Sequence, residues 1–211
     1  MPVPEETSTD RWRELLMSYP MDTWCHFATD DAPFLIRYQV IGSFIPDGAR
    51  VIDVGCNSGG FGWRLLQDKP ACIVYGVEPN VAYLGDALSR GYRGVCPGLI
   101  EDVADDIVRV APELFTHCVA MAPTDHALDL DLCMRSLLKL LVPGGVMCGE
   151  GVHKRGWWGD VARHTNLMHS WDAESMRDFL TRYLDDVWVA ECGLPEQANP
   201  LWVFWRGVKR Q

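Results

Sequence analysis

The sequence predicts an α/β fold: a doubly wound, three-layer sandwich around a seven-stranded, mostly parallel sheet with an antiparallel hairpin at one edge. Three observations predict it. From residue 50 onward, short apolar runs alternate with amphipathic stretches of helical length, the pattern of strands joined by right-handed helical crossovers. The run at 50–54 is almost continuously apolar, as a strand covered on both faces must be. The last two strand-like runs, 186–191 and 201–205, have no helical stretch between them, so they pair as an antiparallel hairpin rather than through a crossover.

Residues 1–10 read as a polar, proline-containing tail. Asp10 is placed to cap a helix at 11–19, with Trp12, Leu15, Leu16 and Tyr19 on one face, and Pro20 ends it. An aromatic-bearing loop follows at 21–31. Asp31 is placed to cap a second helix at 33–45, with Pro33 in its first turn. Pro46-Asp47-Gly48 is a turn signal. The alternation then begins: a strand at 50–54, a helix at 60–68, a strand at 72–77 and a helix at about 80–90. A short strand at 94–96, a helix at 100–109, a strand at 115–121 and a helix at 130–141 follow. Pro143-Gly144-Gly145 turns the chain into a fifth strand at 146–149. Asp172 caps a helix at 173–184, with Glu174 and Ser175 in its first turn. The reading is a single compact unit in which 1–47 form a helical, substrate-side lid and 48–211 the main domain.

The chain has 211 residues, long enough to bury a sizeable core in one domain. Its net charge is −10, and no run of Lys or Arg stands out. Nonspecific nucleic-acid binding rests on basic surface, so a nucleic-acid partner is disfavoured. The eight cysteines show no Cys-x-x-Cys pair and lie mostly inside apolar runs, which points to reduced core thiols in a cytoplasmic, reducing compartment and against a zinc site or any other metal centre. The first residues lack the basic and apolar regions of a signal peptide, and no stretch of 18 apolar residues is present to span a membrane.

The chemistry concentrates in Val51-Ile-Asp-Val-Gly-Cys-Asn-Ser-Gly-Gly-Phe-Gly62. An apolar strand ends in Asp53, a glycine-rich turn follows, and an amphipathic helix begins. That is the local geometry for holding a nucleotide-like cofactor. Asp53 suits a cationic amine, which an amino-acid-bearing cofactor has and a dinucleotide lacks. The next strand also ends in an acid, Glu78, in Val-Tyr-Gly-Val-Glu-Pro. A carboxylate there can accept two hydrogen bonds from ribose hydroxyls. Turn or cap carboxylates are the plainer alternative for both, but both are in register with the glycines.

With these residues the sequence resembles the class I S-adenosylmethionine-dependent methyltransferases, a Rossmann-like family. The matching pieces are Val51-Ile-Asp-Val-Gly-Cys-Asn-Ser-Gly59, Gly76-Val-Glu-Pro-Asn80 and Leu137-Leu-Lys-Leu-Leu-Val-Pro-Gly-Gly145, and the resemblance covers about residues 48–208. It implies S-adenosyl-L-methionine as cofactor. Backbone at Gly55, Cys56, Asn57 and Gly59 would pass close to the methionine moiety, with Asp53 near its amino group. Glu78 would hold the ribose and Pro79 would pack beside the adenine. Met121, at the end of the fourth strand, joins this set. Glu101 and Asp102 both stand where the family's acidic side chain meets the adenine amine, and the sequence does not choose between them. One departure is Asn57, where the family's D-x-G-x-G-x-G has its middle glycine. Asn tolerates left-handed backbone, so the turn can form.

The acceptor side is read from the fourth and fifth strand ends. Methyl transfer is an in-line displacement from a sulfonium, so the protein mainly holds two reactants in line. An oxygen or nitrogen acceptor can also need a base, the usual task of His near neutral pH. Asp125-His126 resembles the Glu-His pair of many small-molecule members, which makes His126 a candidate base and, equally, a structural residue. The long segment 150–171 is dense in His and Trp. His164 is the second candidate for catalysis, and Trp157, Trp158 and His169 are candidates for a wall over the acceptor. The alternative for His153, His164 and His169 is ordering of the loop itself. Trp24, Cys25 and His26 would close the pocket from the other side.

The resulting expectation is a methyltransferase acting on an oxygen or nitrogen of a small-molecule acceptor. An RNA or protein methyltransferase would want a basic face or an Asn/Asp-Pro-Pro-Tyr/Phe motif after the fourth strand, where this chain has Ala-Pro-Thr-Asp. A dinucleotide oxidoreductase would want an apolar residue at 53 and Gly-x-Gly-x-x-Gly. A non-catalytic, methyltransferase-like scaffold is the remaining alternative. Exposed aromatic loops would also suit a homodimer contact.

Overall fold

In the computed structural model the described residues are 32–111, 113–121, 123–155, 169–193 and 199–211. The alternating runs form β1 (Arg50–Val54), β2 (Ile73–Glu78), β3 (Gly94–Pro97), β4 (Phe115–Met121) and β5 (Leu141–Val152), all parallel. β6 (Leu184–Cys192) and β7 (Trp202–Lys209) form the antiparallel pair, and β7 lies between β5 and β6. The described residues thus make one seven-stranded sheet in the order β3-β2-β1-β4-β5-β7-β6. The order reverses between β1 and β4, the switch point at whose strand carboxyl ends α/β sheets bind ligands.

The helices are α1 (Ala32–Ser43), α2 (Gly60–Asp68), α3 (Leu84–Ser89), α4 (Ile100–Val110), α5 (Pro123–His126), α6 (Leu130–Leu140) and α7 (Ala173–Leu180). Strand alternation divides their packing. Ile52 and Val54 of β1 face α4, α6 and α7 through Ile107, Leu137 and Phe179. Val51 faces α1, the turn after it and α2 through Ile41, Ile45 and Leu65. Burial of these apolar residues on both faces is the main stabilising contribution, and it gives the expected three layers. Trp202 and Trp205 are core residues, while Trp188 is part-exposed on the edge strand with its ring against Phe44.

Side chains fix several helix ends. Lys69 Nζ donates to Gly42 O at 2.6 Å and also to Ile45 O, satisfying carbonyls at the end of α1 with a cation. Asp129 caps α6 by accepting from Leu132 N at 2.9 Å. Asp172 and Ser175 form a capping box on α7, as the sequence predicts. The expected caps at Asp10 and Asp31 lie outside the described residues.

Several boundaries differ from the sequence reading, and three of the differences have a clear local cause. The helix expected at 80–90 divides into a 3₁₀ turn (Val81–Tyr83) and α3, because the Asn80 side chain accepts from Ala82 N at 3.0 Å and tightens the first turn. β5 begins five residues early, since Leu141 pairs with Phe115 before the Pro-Gly-Gly segment. α7 ends at Leu180 rather than 184, because Leu184 is buried and starts the pairing of β6 with Lys209.

Candidate cofactor site

The glycine loop leaves β1 through three left-handed residues, Gly55, Asn57 and Gly59, with φ of 75°, 53° and 85°. Asn57 therefore takes the conformation for which its side chain is suited, and its Oδ1 accepts from Ser58 N at 2.8 Å. Gly55 N and Cys56 N both donate to Val77 O, at 2.8 and 3.1 Å, which carries the loop across the end of β2. Cys56 turns its sulfur onto Gly76, where a Cβ would stand 2.6 Å from it. Burial pushes the Cys56 thiol far up, so it stays protonated.

Glu78 is the last residue of β2 and is buried. Its Oε2 accepts from Asn57 N and its Oε1 from Asn80 N, each at 2.8 Å. Burial raises its pKa, and the two N–H bonds oppose the rise. Each carboxylate oxygen keeps a further lone pair for a hydroxyl. Asp53, 2% exposed, lies one strand over. Tyr92 donates its O–H to Asp53 Oδ2 at 2.5 Å. Burial pushes the Asp53 pKa up to about 7, the tyrosine bond lowers it, and Glu78 raises it further.

Tyr92 is a residue that sequence reasoning missed. Its hydroxyl also accepts from Gly62 N at 3.0 Å. A Cβ at Gly62 would come within 2.4 Å of its ring, and one at Gly59 within 2.9 Å. This ring thus requires glycine at both positions, and at Gly59 the left-handed turn requires it as well. In sequence Tyr92 sits in Gly-Tyr-Arg-Gly, which reads only as a connection.

On the next strand, Gly98 N donates to Glu78 O at 3.1 Å, joining the ends of β2 and β3. Pro79, the residue after β2, is half-buried. Glu101 and Asp102 both fall in the first turn of α4. Asp102 is exposed, whereas Glu101 is half-buried and hydrogen-bonds the Cys133 thiol of α6. Met121 ends β4 opposite Glu150 of β5. A Cβ at Gly55 would lie 3.8 Å from both Met121 O and Pro123 Cγ, so the β4 end and α5 border the glycine loop.

The acceptor-side candidates separate. His126 is half-buried at the end of α5. Asp125 is fully buried and turns to the protein: Oδ2 accepts from Val152 N and Oδ1 from Trp171 Nε1, each at 2.9 Å. His169 Nε2 lies 2.8 Å from Ala127 O, so that nitrogen carries the proton. His153 is buried, with Nδ1 accepting from Arg155 N at 3.1 Å and Nε2 facing Glu191 at 3.4 Å. His169 thus bonds the segment after α5, and His153 lies between its own turn and β6. His164, Trp157, Trp158, Trp24, Cys25 and His26 lie outside the described residues.

Glu150 is a second missed residue. It is buried near the carboxyl end of β5 and paired by both oxygens to Arg37 of α1, with Arg37 Nε at 2.7 Å from Oε2. The signal was present in the sequence, because Val146-Met-Cys-Gly-Glu150 is again an apolar run ending in an acid. Among the described residues, no cluster of three or more His, Cys, Asp or Glu is placed to hold a metal ion, and no helix is long and apolar enough to cross a membrane.

No family model matches the chain. It is 26% identical over 161 residues to a tRNA U34 carboxymethyltransferase of Azotobacter vinelandii, covering 71% of this chain and 46% of that protein. It is 27% identical over 104 residues to a ubiquinone biosynthesis O-methyltransferase of Rhizobium rhizogenes, covering 48% of this chain and 40% of that protein. The chain therefore spans less than half the length of these relatives. Its fold is shared with the N-methyltransferase NodS of Bradyrhizobium japonicum, solved with S-adenosylhomocysteine, at a TM-score of 0.69 and 18% identity over 94% of this chain and 97% of that one. In sheet order the chain shares the fold of this N-methyltransferase, and in sequence it is similar to methyltransferases over up to 71% of its length.

Proposed function

We propose that the protein binds S-adenosylmethionine across the carboxyl ends of β1, β2 and β3 and transfers its methyl group to an oxygen or nitrogen of a small-molecule acceptor. The observation that carries this reading is the pair of buried acids, Asp53 and Glu78, ending adjacent parallel strands beside a left-handed Gly-Asn-Gly turn. Two buried carboxylates suit a ligand with an ammonium at one end and a ribose diol further along. In this reading Asp53 meets the amine and Glu78 the ribose. Gly55, Cys56, Asn57 and Gly59 offer backbone to the amino-acid moiety. Pro79 flanks the adenine, Glu101 or Asp102 meets its amine, and Met121 borders the reacting end. Bound there, the cofactor supplies an electrophilic methyl group on a sulfonium. The protein's own task is to hold the acceptor in line with it. His126, and His164 from the long segment after β5, are the residues proposed to take an acceptor proton.

A second reading is an RNA acceptor. It is favoured by relatives named as tRNA U34 carboxymethyltransferases, which match 71% and 72% of this chain. The net charge of −10 favours the first reading. Mass spectrometry of S-adenosylhomocysteine release tests the two together. With S-adenosylmethionine present, release on addition of small phenols, alcohols or amines but not of bulk tRNA supports the proposal. Release with tRNA alone overturns it in favour of the second reading. Binding of the cofactor without release on any acceptor favours a scaffold.

A further inference from the structure

We propose that Tyr92 is a positioning residue of the cofactor site: its hydroxyl holds the Asp53 carboxylate and the first turn of α2 in one arrangement, so that the amine-bearing end of the cofactor meets an oriented anion. The proposal rests on the cofactor reading above and extends it to a residue outside the strand-end motifs. Three features carry it. The first is helix capping. The residue capping α2 is Gly59, which has no side chain to bond the first free N–H groups of the helix. Tyr92, from the connection between α3 and β3, serves Gly62 N at 3.0 Å in its place. The second is the donor to Asp53. The same hydroxyl donates to Oδ2 at 2.5 Å. Burial, and then Asp53 itself, push the tyrosine well above its ordinary range, so it remains a donor to that carboxylate. The third is the fit of the ring. It is buried against positions 59, 62 and 76, where a Cβ would stand 2.9, 2.4 and 3.2 Å from it. The ring cannot tilt without moving the loop.

The titratable groups facing Asp53 come from each neighbouring element: Glu78 on β2, Cys56 in the glycine loop, Cys118 on β4, Cys148 on β5 and Tyr92 itself. All of these are acids. None of them favours a charged Asp53 by its own charge, and the Tyr92 O–H bond does.

The test is a calorimetric titration of the full chain and of Tyr92→Phe between pH 5 and 7.5. S-adenosylhomocysteine is one ligand. The other is 5′-methylthioadenosine, which keeps the nucleoside and lacks the amino-acid end. For the unaltered protein, affinity for S-adenosylhomocysteine rises with pH toward about 7, more steeply than that for methylthioadenosine, which meets Glu78 but not Asp53. In Tyr92→Phe the rise moves up by about one pH unit, a loss close to tenfold at pH 6 for S-adenosylhomocysteine alone. Superimposable profiles, or equal losses for both ligands, overturn the role given to Tyr92. Failure of the unaltered protein to bind either ligand overturns the cofactor reading instead. If Tyr92→Phe does not fold, the unaltered protein supplies the test by carbon NMR. The Asp53 carboxyl and the Tyr92 Cζ are expected to shift in one shared transition, and a Tyr92 signal that ignores the Asp53 transition overturns the proposal.

Discussion

At the ends of β1 and β2 the buried acids bond to the glycine loop and to the tyrosine packed on it, whereas Asp125, just after β4, and Glu150, on β5, bond to segments that flank the sheet. Glu78 takes the backbone N–H groups of Asn57 and Asn80, 21 and 2 residues distant. Asp125 takes the indole N–H of Trp171, 46 residues on, and Glu150 takes the guanidinium of Arg37, 113 residues back. The two halves of this strand-end face therefore hold similar acids for different ends. On the cofactor half, carboxylates stiffen the loop that would surround the ligand. On the half proposed to face the acceptor, carboxylates fasten remote segments, α1 and the stretch around Trp171, to the sheet. A strand-end acid is not by itself a ligand-binding group; what it is bonded to decides its task.

This contrast can be broken by mutation, because acceptor-half variants are expected to cost stability and cofactor-half variants affinity. The largest effect is expected for Glu150→Ala, which removes both carboxylate bonds to the part-buried Arg37 guanidinium. A loss of about 3–5 kcal/mol in denaturant unfolding is expected, and a loss below about 1 kcal/mol would show that α1 is held by its apolar face instead. Asp125→Ala orphans the N–H groups of Val152 and Trp171, at about 1–3 kcal/mol. If it weakened cofactor binding as strongly as Glu78→Ala does, the division into halves would fail. Glu78→Ala and Asp53→Ala are each expected to weaken S-adenosylmethionine binding at least tenfold, about 1.4 kcal/mol, in calorimetry. Unchanged affinity in both removes the proposed site. The smallest and sharpest effect is that of His126→Ala, for which turnover falls while cofactor affinity holds. An unaltered rate makes His126 structural.

The same contrast explains what was legible in the sequence. The glycine loop, Asp53 and Glu78 lie within one stretch of 26 residues, 53–78, so strand period and turn chemistry suffice to find them. The antiparallel final pair was legible because no helix separates its strands, and the capping box at Asp172 because its residues are three apart. Tyr92 was not legible, since its meaning depends on the ring meeting Gly59 and Gly62 only after α3 packs on α2. Arg37 was hidden for the same reason, as no local pattern marks one cation within an apolar helix for a strand end 113 residues away. The long β5 and β7 were also underread. Their outer residues pair through backbone groups, which leave no mark on hydropathy.

The central claim is that the β1–β3 ends form a site for an amino-acid-bearing nucleoside. Calorimetric titration of the purified protein with S-adenosylmethionine, S-adenosylhomocysteine and NAD as separate ligands tests it most directly. The account predicts micromolar binding of the first two and none of NAD, whereas binding of NAD alone would contradict it.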